Sequence, residues 1–243
     1  MKDRVPGLER KVLPWPALVR GVLLRRYQRF KADVKLDDGQ VVTAHCANSG
    51  SMKSCSEPGR PVYLSRSPNL KRKLPYTWNM IEMPGSLVGV HTDVPNRLVR
   101  FSIEEGLIPE LAGFDRVRSE VAYGLNSRID ILLERANGEK CFVEVKNCTL
   151  LEGDIAYFPD AKTERGLKHL VELQAQVDQG YRGVMFFLIQ RMDARAFAPA
   201  DHIDPAYGTE LRRAVRRGVE MLAYDVSMDL KGIAIRNRLR AEL

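Results

Sequence analysis

The chain has 243 residues, 44% of them apolar, enough for one large domain or two small ones and too many for a disordered protein. Its longest apolar run, Val184 to Ile189, is too short to span a membrane, and the charged start with Lys2, Asp3, Arg4 and Glu9 lacks a signal-peptide core, so a cytoplasmic protein with no membrane partner is expected. The net charge of +7 is uneven: residues 1–90 hold 16 Lys/Arg against 7 Asp/Glu, or +9, while residues 91–243 hold 22 against 24, or −2. A basic excess confined to the first third points to a polyanion, most simply nucleic acid.

Residues 18–90 read as short strands separated by turn signals. Leu18 to Leu24 is apolar; Phe30, Ala32, Val34 and Leu36 alternate with charged neighbours; Asp37-Asp38-Gly39 turns the chain into Val41 to Cys46. After a Gly/Ser/Asn-rich loop come Pro61 to Ser65, Tyr76 to Met83 and Leu87 to Val90. Five or six strands in about 75 residues suggest a small OB-like barrel, with Phe30 in its core. Two stretches suit a nucleic-acid backbone. Arg25, Arg26, Tyr27 and Arg29 interleave cations with an aromatic ring, and Lys71, Arg72 and Lys73 sit in a Pro/Asn-containing loop. Cys46, Cys55, Cys141 and Cys148 form no Cys-x-x-Cys pair; His45-Cys46 and Cys55 match no common zinc spacing.

After Val94-Pro95 the pattern becomes mixed. A helix is expected over Asn96 to Glu105, then a strand over Arg118 to Tyr123 that carries Glu120. Thr163 to Gln179 reads as a helix burying Leu167, Leu170, Val171, Gln174 and Val177. Gly183 to Ile189 reads as a buried central strand, Ala206 to Arg217 as a helix and Val219 to Tyr224 as a last strand. The expected fold is therefore a two-domain α+β and α/β arrangement: an OB-like β-barrel over residues 1–90 and an α/β domain over 91–243.

Between these elements, Arg128 to Lys146 alternates on both sides of Asn137-Gly138, the signature of a β-hairpin. A two-residue turn would place apolar side chains opposite polar ones. A three-residue loop, Ala136-Asn137-Gly138, instead aligns Ile129 with Val145, Ile131 with Val143 and Leu133 with Cys141 on one apolar face. It also sets Asp130 opposite Glu144, with Cβ atoms roughly 5 Å apart. Facing carboxylates repel unless a cation lies between them. Asp130 and Glu144, with the Val145 carbonyl as a third ligand, therefore suit Mg²⁺ or Mn²⁺. Lys146 on the same face suits a water or a phosphate. Glu120 is a further acidic candidate, and His169 reads either as a proton shuttle or as a structural histidine.

The spacing of Asp130 and Glu144-Val145-Lys146 resembles the PD-(D/E)xK nuclease core. Almost the whole chain closely resembles the sugar fermentation stimulation protein A family of prokaryotes. The resemblance is carried by Arg26-Tyr27-x-Arg29-Phe30, His45 to Met52, Lys71-Arg72-Lys73, Tyr76-Thr77-Trp78, Ser127 to Asp130, Val143 to Lys146, Phe158 to Ala161, and Thr163 to Leu170. Departures are Ala47 where the family usually has Pro, Ser49 where Thr is common, and Lys162. The resemblance implies an N-terminal OB-like domain, a C-terminal restriction-endonuclease-like domain, DNA binding with little sequence preference, and a regulatory role in maltose metabolism. Two functions stay open at this point: a metal-dependent phosphodiesterase acting on DNA, or a catalytically silent DNA-binding regulator.

Overall fold

The computed structural model describes residues 11–124 and 127–243. Strand β1 (Leu13–Pro14) pairs antiparallel with Gly232 and Ile233 near the other end of the chain. The next six strands form the first sheet: β2 (Leu18–Tyr27), β3 (Lys31–Leu36), β4 (Val41–His45), β5 (Pro61–Arg66), β6 (Tyr76–Met83) and β7 (Ser86–Gly89). Parallel pairing of Ala44 with Tyr76 and His45 with Thr77 joins β4 to β6 and closes β2, β3, β4, β6 and β5 into a barrel, with β7 added beside β6. Closure leaves the barrel strands without free edges. Its interior holds Leu23, Ala32, Val34, Ala44, Val62 and Leu64 by alternation, and both Trp78 and Ile81 because the β5–β6 register shifts between them.

Phe30 does not join that core; it is 47% exposed. Gln28 and Arg29 take left-handed backbone angles in the β2–β3 turn, and β3 begins only at Lys31, so the inward alternation starts at Ala32.

The remainder is an α/β unit. It runs α1 (Val94–Glu104), β8 (Arg116–Tyr123), β9 (Ser127–Glu134), β10 (Lys140–Cys148), β11 (Leu150–Glu152), β12 (Ile155–Phe158), α2 (Glu164–Asp178), β13 (Arg182–Ile189), β14 (Ala196–Pro199), α3 (Pro205–Arg216), β15 (Glu220–Met228), β16 (Gly232–Arg238) and β17 (Arg240–Ala241). Seven strands lie in the order β1-β16-β15-β13-β10-β9-β8, with β10, β13 and β15 parallel at the centre. A small second sheet, β11-β12-β14-β17, comes from segments whose strand character the sequence pattern does not reveal. Among the described residues no helix is long and apolar enough to cross a membrane.

Both faces of the large sheet are covered, as its unbroken apolar central strand requires. Met185 and Phe187 pack with Leu170 and Leu173 of α2 and Leu211 of α3. Val184, Phe186 and Leu188 pack on the other face with Val94 and Leu98 of α1, and with Tyr63 and Met80 of the barrel. The barrel and the large sheet thus share one apolar cluster. Together with β1, it crosses the expected division at residue 90.

Helix α2 is capped as its sequence suggests, the Thr163 hydroxyl accepting the Gly166 N–H at 3.0 Å. Its buried stripe is rotated from the expected one. His169, Leu170, Glu172, Leu173 and Gln174 are buried, whereas Val171 is 52% exposed. The rotation turns His169 and Glu172 toward the polar end of the sheet.

The β9–β10 hairpin has the expected register, Leu133 opposite Cys141 and Ile131 opposite Val143. Arg135 N–H donates to the Glu139 carbonyl and Gly138 N–H to the Arg135 carbonyl, closing the three-residue loop. Ile129 departs from the expected common face: it packs in the α2 cluster, while Ile131 and Leu133 pack in the α1 cluster.

Gly138 has φ +91°, and a methyl added there would meet nothing within 4 Å. The cost of Gly138→Ala is therefore one of backbone conformation, about 1–2 kcal/mol in urea denaturation. Gly138→Asn is expected to cost less, because Asn tolerates the left-handed region better.

Candidate active site

The β9–β10 ladder ends at Ile131 and Val143, immediately before Asp130 and Glu144. Here the Asp130 side chain takes over: Oδ2 accepts the Val145 N–H at 2.8 Å. Oδ1 accepts the Asn96 side-chain amide of α1 at 2.8 Å. Asp130 is thus fixed from two elements before any ligand is considered.

Glu144, next to this junction, is only 2% exposed. Its Oε1 accepts Lys146 Nζ at 2.7 Å and lies against His169 Nδ1 of α2. Arg165 Nε donates to His169 Nε2 at 3.4 Å, which leaves the ring proton on Nδ1, facing Glu144. Lys146 Nζ stands 3.1 Å from the same Nδ1. The second oxygen, Oε2, is buried without a hydrogen-bond partner. Burial pushes the Glu144 pKa up, but the His169 hydrogen bond and the Lys146 charge outweigh it and hold the group below the ordinary carboxylate range. Asp130 goes the other way. Burial, then the charge of Glu144, raise it to about 6. Glu144 is thus already answered by Lys146 and His169, while the Asp130 carboxylate is bonded by neutral N–H donors, and a cation beside it would favour its charged form.

Glu120 sits at φ 54°, exposed on β8. It lines a cleft of ≈ 320 Å³ with Asp130, Thr92, Asn96, Arg97 and Arg100. Among the described residues no three His, Cys, Asp or Glu side chains converge on a metal cage. The donor set is two carboxylates with one orphaned oxygen. That suits a hard cation such as Mg²⁺, which keeps several of its waters. The residues present fit the group on those terms.

Three residues near the site were missed by sequence reasoning. Asn96 holds Asp130. The Tyr123 hydroxyl is buried without a partner, and burial and then the charges of Glu144, Glu172 and Asp130 raise its pKa far above the ordinary phenol value. Glu172 is buried one helical turn beyond His169, with Lys168 at 3.6 Å. A tyrosine in a strand and a glutamate in a helix carry no signal in sequence; only their placement singles them out.

The barrel's candidate cations divide into engaged and open ones. Arg25 pairs with Asp33 at 2.8 Å and stacks on Tyr27, whose hydroxyl donates to the same carboxylate. Arg26 is not the free cation expected: its guanidinium donates to the carbonyls of Asn48, Gly50 and Ser51 and braces that loop. The loop is held from the other side by Asp160, which accepts the Met52 N–H at 3.1 Å. Arg29 lines a cleft of ≈ 270 Å³ with Gly50, Asn147, Asp160 and Lys162. Arg72 Nη1 donates to the Thr77 hydroxyl at 2.8 Å, while Lys71 and Lys73 are exposed at the loop tip. Cys46 and Cys55 are buried free thiols in the barrel core, with Met52 against Cys46.

Asp130 also gives stability a pH dependence. Its folded pKa lies above the unfolded value, so the protonated carboxyl is the form that folding favours. The associated stability is complete below about pH 4 and is lost as pH rises through about 6, a change of roughly 2–3 kcal/mol. Asp130→Asn should therefore stabilise the protein at pH 8 in EDTA by about 1–2 kcal/mol, less than the full amount because the amide offers one acceptor in place of two. The gain should vanish near pH 4, as read by denaturant unfolding at each pH.

Residues 93–232 match the sugar fermentation stimulation protein RE domain, and residues 24–90 match the SfsA N-terminal OB domain. A sugar fermentation stimulation protein homolog of Geobacter sulfurreducens is 58% identical over 228 residues, covering 94% of this chain and 97% of its own. The Maricaulis maris homolog is 49% identical over 227 residues, covering 93% and 97%. Among solved structures, Pyrococcus furiosus SfsA in complex with Ca²⁺ superposes with a TM-score of 0.87 at 30% identity, covering 96% of this chain and 99% of that one. The chain belongs to the sugar fermentation stimulation protein family.

Proposed function

We propose that the protein binds DNA with little sequence preference and hydrolyses its phosphodiester bonds at Asp130, Glu144 and Lys146, with Mg²⁺ or Mn²⁺ as cofactor. The carrying observation is the pair of neighbouring carboxylates, one braced by Lys146 and His169 with a bare Oε2, the other raised in pKa by burial and by its neighbour. The relative from Pyrococcus furiosus was solved with Ca²⁺, a hard cation that takes the same kind of oxygen ligands.

Asp130, Glu144 and the Val145 carbonyl would hold the cation, whose chemistry when bound is Lewis-acid activation of phosphate and water. Asn96 and the Val145 N–H fix the Asp130 carboxylate, and His169 fixes that of Glu144, so neither must reorganise when substrate arrives. Lys146, on the strand that carries Glu144, supplies a positive charge for the developing phosphorane or a hydrogen bond to an attacking water. Residues 1–90 provide most of the grip through Lys71, Arg72, Lys73 and Arg29, and residues 91–243 the chemistry.

Labelled single- and double-stranded DNA incubated with Mg²⁺, Mn²⁺ or EDTA tests this. Cleavage should require the cation. Asp130→Asn should abolish it with DNA affinity retained, and Lys146→Ala should lower kcat by about 10²–10³-fold with a smaller change in affinity. If the wild type binds DNA yet cuts neither DNA nor RNA across a metal and pH screen, the regulator reading takes its place.

Binding has its own signature. Replacing Lys71 and Lys73 with Ala should weaken binding to unrelated duplexes alike. The slope of log affinity against log salt should fall by about 0.9 for each phosphate that these lysines neutralise. A weakening concentrated on one sequence would overturn the non-specific description.

A further inference from the structure

The seam where the barrel meets α1 gathers basic side chains from three elements. His45, the last residue of β4, lies beside Thr77 of β6 across the parallel pairing that closes the barrel. Arg72 is anchored there through its bond to the Thr77 hydroxyl. From the other side come His91 and, one helical turn into α1, Arg97. Arg97 is exposed and makes no side-chain hydrogen bond or ion pair among the described residues. The Thr92 hydroxyl donates to the Ala47 carbonyl at 3.2 Å, which ties the end of β4 to the entry of α1 and brings the two sides together. Burial, and then the Arg72 charge, lower the pKa of His45. Burial lowers His91 as well, with His45, Arg97 and Arg72 adding to the effect.

The acid that faces both histidines is Asp93, and its effect is too small to reverse either shift. The His91 ring is turned to accept the Asp93 N–H through Nδ1, which aims Nε2 away from that turn. His45 Nδ1 is buried without a partner. Two guanidiniums and the unpartnered His45 nitrogen, brought together from strand, loop and helix, cost stability unless an anion joins them. Arg97 also lines the cleft that contains Asp130 and Glu120, together with Thr92, Asp93, Asn96 and Arg100, and so links the seam to the carboxylate site.

We propose that His45, Arg72, His91 and Arg97 form an anion subsite that holds a backbone phosphate of the DNA strand beside the one presented to Asp130. The assignment rests on the DNA reading above and adds to it a fixed point from which the strand is aligned. Arg72 reaches the phosphate from the barrel and Arg97 from α1. The bound strand therefore spans both units, and one phosphate answers both guanidiniums.

Fluorescence anisotropy of a short labelled DNA strand, titrated with the full chain over a range of KCl concentrations, tests the proposal. Arg72→Ala and Arg97→Ala should each weaken binding and each lower the salt slope by about 0.7, the value for neutralising one phosphate of a single strand. The double variant should fall little below either alone, because both arginines act on one phosphate. Arg97→Gln repeats the test at an exposed position where folding is not at stake, and Arg195→Ala, paired with Asp154 on a distant loop, should change nothing. If the wild type binds but the Arg97 variants keep its slope, the subsite is wrong and the DNA reading stands. If the double variant lowers the slope by twice as much as either single change, the arginines serve separate phosphates and the shared subsite is wrong. If the wild type binds no DNA, both readings fall.

Discussion

A carboxylate buried in a sheet is the constraint on which the rest of the site depends. Glu144 lies in the middle of β10, next to the central strand, where an uncompensated charge would not be tolerated. Lys146 answers it from the same strand and His169 from α2, which fixes the rotation of that helix. The helix then exposes Val171 and buries Glu172, against the order that hydrophobicity alone would choose. The β9–β10 ladder yields at the same point, and the Asp130 side chain replaces a main-chain partner for Val145. Packing, helix orientation and strand separation thus trace back to one buried charge.

The hairpin was legible in the sequence because a strand has a period of two and a wrong loop length would have put Leu133 and Cys141 on opposite faces. The central strand was legible because Gly183 to Ile189 is continuously apolar. The barrel was legible from alternation over Phe30 to Leu36 and from the turn signals that separate the short strands of residues 18–90. What could not be read was whatever depends on a partner distant in sequence. Phe30 has the parity of a core residue, yet the turn before it delays the strand. Arg26 has the look of a phosphate ligand, but three carbonyls from residues 48–51 hold its two terminal nitrogens. Asn96, Tyr123 and Glu172 are ordinary in sequence and distinctive only through what the fold sets against them. The four short strands of the second sheet are too brief for periodicity to register.

The joint between the two units is built by several kinds of interaction. Asp160 crosses it to the loop that Arg26 braces, Ser54 Oγ donates to the Thr149 carbonyl at 2.9 Å, and Gly89 N–H donates to the Gln190 carbonyl at 2.8 Å. Gly50 approaches so closely that an added Cβ would lie 2.4 Å from an Asp160 carboxylate oxygen. Polar interactions this close fix how the barrel sits against the α/β unit.

The apolar cluster shared by Tyr63, Met80, Leu98 and Phe186 bears on how such a molecule can be inherited. Two sequence patterns meet near residue 90, and apolar packing continues across that point. A barrel separated from its neighbour would carry Tyr63 and Met80 bare to water, and the sheet would lose part of the cover over one face as well as its edge strand β1. The units are distinct in pattern and fused in solvation. Neither can be exchanged for another of its kind unless the residues facing the joint change with it.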